Sequence, residues 1–161
     1  MKSPVDYRSN WSGGETLPQL NSMSWNLLAI PAAVLVVMAV LQIISFSKFE
    51  NWLSSIGVGW QAGVAVILII AELWGALSLL RVPLHAAIRF VGVGLAVLVI
   101  GFWFVENLYL VSNSPVGQLA NSGYFGKYLS QSPGWWTVIE ATVALFWVVY
   151  AAELVKWRPN R

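Results

Sequence analysis

Acidic side chains inside apolar segments are the first residues in this sequence that suggest chemistry. Glu72 lies within the apolar segment 57–80, about 12 Å of helix from the end of that segment. An ionised carboxylate at this depth costs at least about 2.5–3.5 kcal/mol, so it must be protonated, paired or hydrated. Arg89 enters the next apolar segment from the same side, and we therefore predict a Glu72–Arg89 ion pair. The pair would act either as a lock between two helices or as a proton or ligand site, with Gln61 on the same helix face.

A second polar group is predicted at the opposite ends of the apolar segments. Glu106 and Glu140 fall at similar depth in the third and fourth segments, and Lys48 follows the first. One interpretation is charge pairing at the membrane surface. The other is an outward-facing pocket that also includes Gln42, in which carboxylates and a lysine relay protons to a quinone or hold a small anion.

Several kinds of chemistry find no support in the composition. The chain has no cysteine, which removes disulfides, thiol relays and cysteine-held iron–sulfur clusters. It has one histidine, His85, so two histidines of this chain cannot clamp a haem. No metal-ligand spacing is present, and we expect no cofactor bound by this chain's own ligands other than a possible quinone. The net charge of +2 makes nucleic acid an unexpected partner.

The elements that position these residues are four apolar segments. Of the 161 residues 58% are hydrophobic and 10% are charged, whereas a soluble domain carries about 25% charged residues. Each segment approaches or exceeds the roughly 20 residues that cross a bilayer as a helix. We therefore predict an all-α, integral membrane four-helix bundle, surrounded by lipid, over residues 25–157. The predicted helices cover residues 25–46, 57–80, 86–111 and 134–155.

The segments outside these helices are predicted to be a polar tail, a long loop and a short basic end. Residues 1–24 are read as a cytoplasmic tail, which is either disordered or a strap that docks on a partner. Residues 112–133 form an extracellular loop rich in glycine, proline and aromatic residues, which we expect to fold over the bundle. Residues 158–161 end the chain in the cytoplasm.

The basic residues predict the orientation of the bundle. With both termini in the cytoplasm, seven of the nine Lys and Arg residues lie on the cytoplasmic side, as the positive-inside rule requires. Only Lys48 and Lys127 lie outside. The cytoplasmic residues are Lys2, Arg8, Arg81, Arg89, Lys156, Arg158 and Arg161.

Small residues predict close helix packing within the second segment. Gly59 and Gly63 form one pair at a spacing of four, and Ala71 and Gly75 form another. Such pairs let helix backbones approach closely. They favour association with other membrane subunits or with further copies of this chain.

Two motifs give the chain a resemblance to a known family. The run 46–53 (FSKFENWL) and the run 71–81 (AELWGALSLLR) resemble the lysine-bearing segment and the signature glutamate helix of DoxX- and MauE-like membrane proteins. The similarity covers roughly residues 25–111. Trp60 stands near the position where many members have a proline.

The resemblance implies a four-helix membrane protein in a redox-linked setting of a bacterial or archaeal plasma membrane. Relatives include small subunits associated with thiosulfate–quinone oxidoreduction and proteins needed to mature periplasmic dehydrogenases. Carried onto this chain, the family pattern marks Lys48 and Glu72.

Three functions remain open from the sequence. The first is a non-catalytic accessory subunit of a larger, redox-linked membrane complex. The second is a quinone-binding membrane subunit of an oxidoreductase, which the outer carboxylates and Lys48 favour. The third is a small transporter or channel, which a four-helix protomer could form only by oligomerising.

Overall fold

The computed structural model of the chain describes residues 22–80, 82, 84–113 and 134–155, and this part is entirely helical, without strands. The predicted N-terminal tail up to residue 21, the loop after residue 113 and the basic end after residue 155 lie outside the described residues, together with Lys127. The five helices are α1 (Ser22–Ile44), α2 (Phe46–Ser55), α3 (Gln61–Leu79), α4 (Ala86–Asn113) and α5 (Trp135–Val155).

Four of these helices are long and apolar enough to cross a membrane. The spans are Trp25–Ile44, Gln61–Leu79, Ala87–Asn113 and Trp135–Val155. At 1.5 Å per residue each extends over about 30–40 Å, which matches the thickness of a bilayer core. The prediction of an all-helical chain with four helices able to span a membrane is confirmed, with helix bounds that differ from the expected ones by a few residues.

The segment after α1 differs from the prediction. The predicted first helix runs to residue 46, and no helix is predicted between residues 46 and 57. Instead α1 ends at Ile44, and the Ser45 hydroxyl donates to the Leu41 carbonyl at 2.6 Å. The chain then forms α2, whose Phe49 and Leu53 are fully buried. Spaced four residues apart, these side chains share one face, and they anchor α2 to the bundle.

The four long helices pack side by side in the order in which they occur in the chain. α3 lies against α1 and α4, α4 lies against α5, and α5 closes back onto α1, while α2 rests mainly on α3. Large apolar side chains are exposed on every long helix, whereas several polar side chains are buried inside. This distribution is typical of a bundle solvated by lipid, because polar groups find hydrogen-bond partners only in the interior. The buried polar residues with uncharged side chains are Gln42, Ser45, Ser78, Asn107 and Thr137.

Small residues hold α3 against α4, as predicted for Gly75, whereas the predicted Gly59–Gly63 pair makes no helix contact, since nothing lies within 4 Å of a Cβ on Gly59 and Gly63 faces Trp60. A Cβ atom on Gly75 would lie 2.8 Å from the Ala96 Cβ, and a Cβ atom on Gly92 would collide with the Ser78 hydroxyl. The two contacts set the register of this antiparallel pair. We call the end of the bundle where α3 turns into α4 the hairpin end, and the opposite end, which carries α2, the far end.

Candidate functional site

Glu72 is the acceptor at the centre of a polar contact between three helices. Its side chain on α3 is 0% exposed. Its Oε1 accepts a hydrogen bond from Gln42 Nε2 on α1 at 3.0 Å and a second from Trp103 Nε1 on α4 at 3.3 Å. We call Gln42, Glu72 and Trp103 the buried centre. Because all three side chains are fully buried, the centre fixes the rotation and height of three helices at one point.

Aromatic rings cover the buried centre on the side of α2. The Trp103 ring lies 5.3 Å from the Trp52 ring and 6.2 Å from the Phe49 ring, and Phe49 and Trp52 are stacked at 6.1 Å. These distances are those of favourable aromatic pairs. The cluster therefore orients the Trp103 indole so that its N–H points at Glu72, and the helical form of α2 makes this possible.

The second carboxyl oxygen of Glu72 has no hydrogen-bond partner within the described part of the chain. A buried polar atom left in this way costs about 1–3 kcal/mol. No basic side chain among the described residues contacts the group. The arrangement can accept hydrogen bonds and hold helices in register, and it retains one oxygen for a further interaction.

The predicted Glu72–Arg89 ion pair does not form. Arg89 is 8% exposed, and its Nη2 donates to the Leu84 carbonyl at 3.1 Å and to the Val82 carbonyl at 3.5 Å. The register of the hairpin explains the difference. With Gly75 opposite Ala96, Glu72 and Arg89 lie on opposite sides of that level, about 15 Å apart along the helix axes. Arg89 instead ties together the turn that joins α3 to α4.

The residues of the predicted outward-facing pocket lie on four different helices. Gln42 points into the buried centre, Lys48 and Glu140 are exposed, and Glu106 is half-buried. Of the sequence-predicted site residues, Gln42 and Glu72 are joined by a hydrogen bond.

Gln61 does not join the buried centre. It is the first residue of α3 and is half-buried. It shares a face with Glu72 as predicted, but about 16 Å of helix separates the two.

Two buried residues near the centre were missed by the sequence reasoning. Trp103 is 0% exposed, although tryptophans near the ends of membrane spans usually lie at the membrane surface. Asn107 is equally buried, and its Nδ2 donates to the Trp103 carbonyl at 2.9 Å. The sequence feature that links the two residues is their spacing of four, which places the Asn107 amide one helical turn from Trp103.

A metal centre finds no support in the described residues, where no group of three His, Cys, Asp or Glu side chains could hold an ion. Comparisons with protein-family models, with curated proteins and with solved structures found no match for this chain.

Proposed function

We propose that this protein is a non-catalytic accessory subunit of a larger membrane complex and that it assembles through the outward face of α5. The observation that carries the proposal is Glu140. It lies inside the Trp135–Val155 span, about 7 Å from the beginning of the helix, and its side chain is exposed on the outside of the bundle. Ionisable residues within spans normally face the bundle interior or a partner.

The low burial of α5 supports the same proposal. Only 28% of its span is buried inside the bundle, compared with 50% for α3. Lipid chains offer a carboxylate on such a face no hydrogen-bond partner. A second protein that covers the face can supply one. The buried centre complements this role, since it gives the bundle a fixed shape on which a partner can pack.

The redox-linked setting and the location of the complex come from the resemblance. DoxX- and MauE-like proteins include subunits and maturation factors of redox enzymes, and Lys48 and Glu72 match the positions that the family pattern marks. On this basis the protein is a multi-pass subunit in the plasma membrane of a prokaryote, with both termini in the cytoplasm.

The test is purification of the full-length tagged protein from native membranes in a mild detergent, followed by mass spectrometry of intact assemblies. We expect other membrane proteins in fixed stoichiometry. A protein that runs alone, both in detergent and in native-lipid nanodiscs, would overturn the proposal. An assembly that contains only copies of this chain would favour the third function, a transporter or channel.

A quinone-binding subunit is the second candidate, favoured by a hollow at the bend between α1 and α2. The hollow measures about 290 Å³ and is lined by residues 43–48, including Ser45, Phe46 and Lys48. A quinone headgroup would find hydroxyl, amine and aromatic groups there. Solvent extraction of the purified protein decides the case: quinone in fixed proportion to the protein, and its loss in Lys48→Ala but not in Ser54→Ala, would favour this function.

A further inference from the structure

Two acidic side chains lie on adjacent helices near the far end of the bundle. Glu106 on α4 and Glu140 on α5 are about 10 Å and 7 Å from the ends of their helices, at Asn113 and Trp135 respectively. Glu106 is half-buried, and its Oε1 is enclosed without a hydrogen-bond partner in the described part of the chain. Both acids sit in helices that span the membrane.

The described residues supply no cation for these acids. Lys48 is exposed on α2, which rests mainly on α3 and touches α4 through the Trp52–Trp103 ring contact, and in the described part of the chain it makes no ion pair with Glu106 or Glu140. Arg89 is bound to the carbonyls of the turn at the hairpin end. This side of the bundle therefore carries two carboxyl groups with which no described basic residue pairs.

Next to Glu140, α5 presents a regular apolar seam to the outside. Ile139, Val143, Phe146 and Tyr150 are all exposed, with Phe146 at 73%. Their spacing of four, three and four residues is the seam of a left-handed helix pair. A charged residue that flanks such a seam selects the partner and its orientation, as charges beside a coiled-coil seam do.

We infer that the α5 seam binds a transmembrane helix of a different protein that carries a Lys or Arg at the depth of Glu140. The inference rests on the proposed function and names the partner's chemistry. Charge complementarity carries it: a basic side chain at this depth would neutralise Glu140 in a medium of low dielectric, where such a pair is stronger than in water. A second copy of this chain paired symmetrically through α5 would place Glu140 beside its own counterpart.

The experiment uses site-specific photo-crosslinking of the full-length protein in native membranes. A photoreactive phenylalanine analogue replaces Phe146 in the seam, and in a control it replaces Ile67, an exposed residue of α3. We expect one adduct from position 146, absent from position 67, with a membrane protein that has a Lys or Arg in the outer third of a span. Glu140→Lys should abolish the adduct, and Glu140→Gln should weaken it at least about tenfold, the loss expected for a charge-assisted hydrogen bond.

Charge exchange makes the test specific. Replacing the partner's basic residue with Glu should restore the adduct to the Glu140→Lys protein, and Glu153→Gln at the other end of α5 should leave the adduct unchanged. The inference is overturned by an adduct with a second copy of this chain, by an adduct that survives Glu140→Lys, or by adducts with lipid alone. It is also overturned if Lys127→Glu reproduces the effect of Glu140→Lys, because this chain would then supply the cation itself.

The failures of the two proposals are distinguishable. If partners co-purify in fixed stoichiometry but no protein crosslinks to position 146, the accessory function stands and the α5 seam is not the interface. If nothing co-purifies, the proposed function itself fails.

Discussion

The indole Nε1 of Trp147 donates a hydrogen bond to the backbone carbonyl of Leu27 at 3.0 Å. Pro31 lies four residues after Leu27 in α1 and has no N–H, so it cannot donate the intrahelical hydrogen bond that this carbonyl would otherwise accept. Within a membrane no water replaces that donor, and neighbouring helices must do so. A side chain of α5 thus makes a proline tolerable inside α1 and joins the first helix to the last.

The first prediction concerns this contact. Trp147→Phe should destabilise the protein by about 1 kcal/mol, the size of an interhelical hydrogen bond in a membrane. In a Pro31→Ala background the alanine N–H can donate to the Leu27 carbonyl. Trp147→Phe should therefore lower the free energy of unfolding by a smaller amount in that background. The free energy of unfolding in mixed micelles, measured for the four proteins of this double-mutant cycle, gives the coupling between the two positions.

The exposed Trp136 provides the matched control for the loss of an indole. Trp136→Phe should change the stability equally in both backgrounds. If Trp147→Phe lowers the free energy of unfolding equally in the wild-type and Pro31→Ala backgrounds, the indole ring stabilises the protein through packing alone. Its hydrogen bond to the Leu27 carbonyl would then contribute nothing to stability.

The second prediction separates the charge of Glu72 from its hydrogen bonds. Both donors use the single oxygen Oε1, and a glutamine retains such an oxygen. Glu72→Gln should therefore leave the thermal stability in detergent nearly unchanged. Glu72→Leu should lower the free energy of unfolding by about 1–3 kcal/mol, because the buried Gln42 and Trp103 donors lose their acceptor.

The tryptophan emission of each protein, taken as the difference from its Trp103→Phe counterpart, would report the same change at the buried centre. The emission should shift in Glu72→Leu and stay constant in Glu72→Gln. Equal damage by both substitutions would mean that a negative charge at position 72 is required, and the structural interpretation of the centre would be wrong.

The third prediction uses two glycines of α4 that are two residues apart. A Cβ on Gly92 would collide with the Ser78 hydroxyl and the Trp74 ring, whereas nothing lies within 4 Å of a Cβ on Gly94. Gly92→Ala should cost about 1–3 kcal/mol through overpacking. Gly94→Ala should be neutral, or stabilising by up to about 1 kcal/mol through helix propensity.

The stability of both glycine variants can be measured by the same unfolding assay. A double variant, Gly92→Ala with Ser78→Ala, should recover part of the loss, because the substitution removes the hydroxyl that the new methyl group meets. Similar effects at positions 92 and 94 would argue against the close α3–α4 contact.

The fourth prediction tests the orientation of the bundle. The chain has no cysteine, so a single introduced thiol reports its own location. Ser47 on α2 and His85 in the α3–α4 turn are both exposed and lie at opposite ends of the bundle. With cytoplasmic termini, Ser47→Cys should react with a membrane-impermeant maleimide in intact spheroplasts, and His85→Cys should react only after permeabilisation. The reverse pattern would invert the topology.

Two features were predictable from the sequence alone: the helical class, and the four helices that are long and apolar enough to cross a membrane. Both follow from the free energy of moving each residue from water into lipid, which adds up along a segment and does not depend on its neighbours in space. The small residues of α3 also predicted a close helix contact. A residue with little or no side chain lets another backbone approach, whichever helix the partner proves to be.

The partners of the polar residues were decided by the tertiary structure. Glu72 accepts hydrogen bonds from Gln42 and Trp103, which are 30 and 31 residues away in the chain. It does not bind Arg89, the basic residue in the first turn of α4 that the sequence suggested as its partner. A hydrogen bond needs atoms within about 3 Å, whereas a shift of one residue in helix register moves a side chain by 1.5 Å and turns it by about 100°. That register is set by the backbone contact between Gly75 and Ala96 and by the ring contact between Phe49 and Trp103. Both contacts form only when the helices pack together.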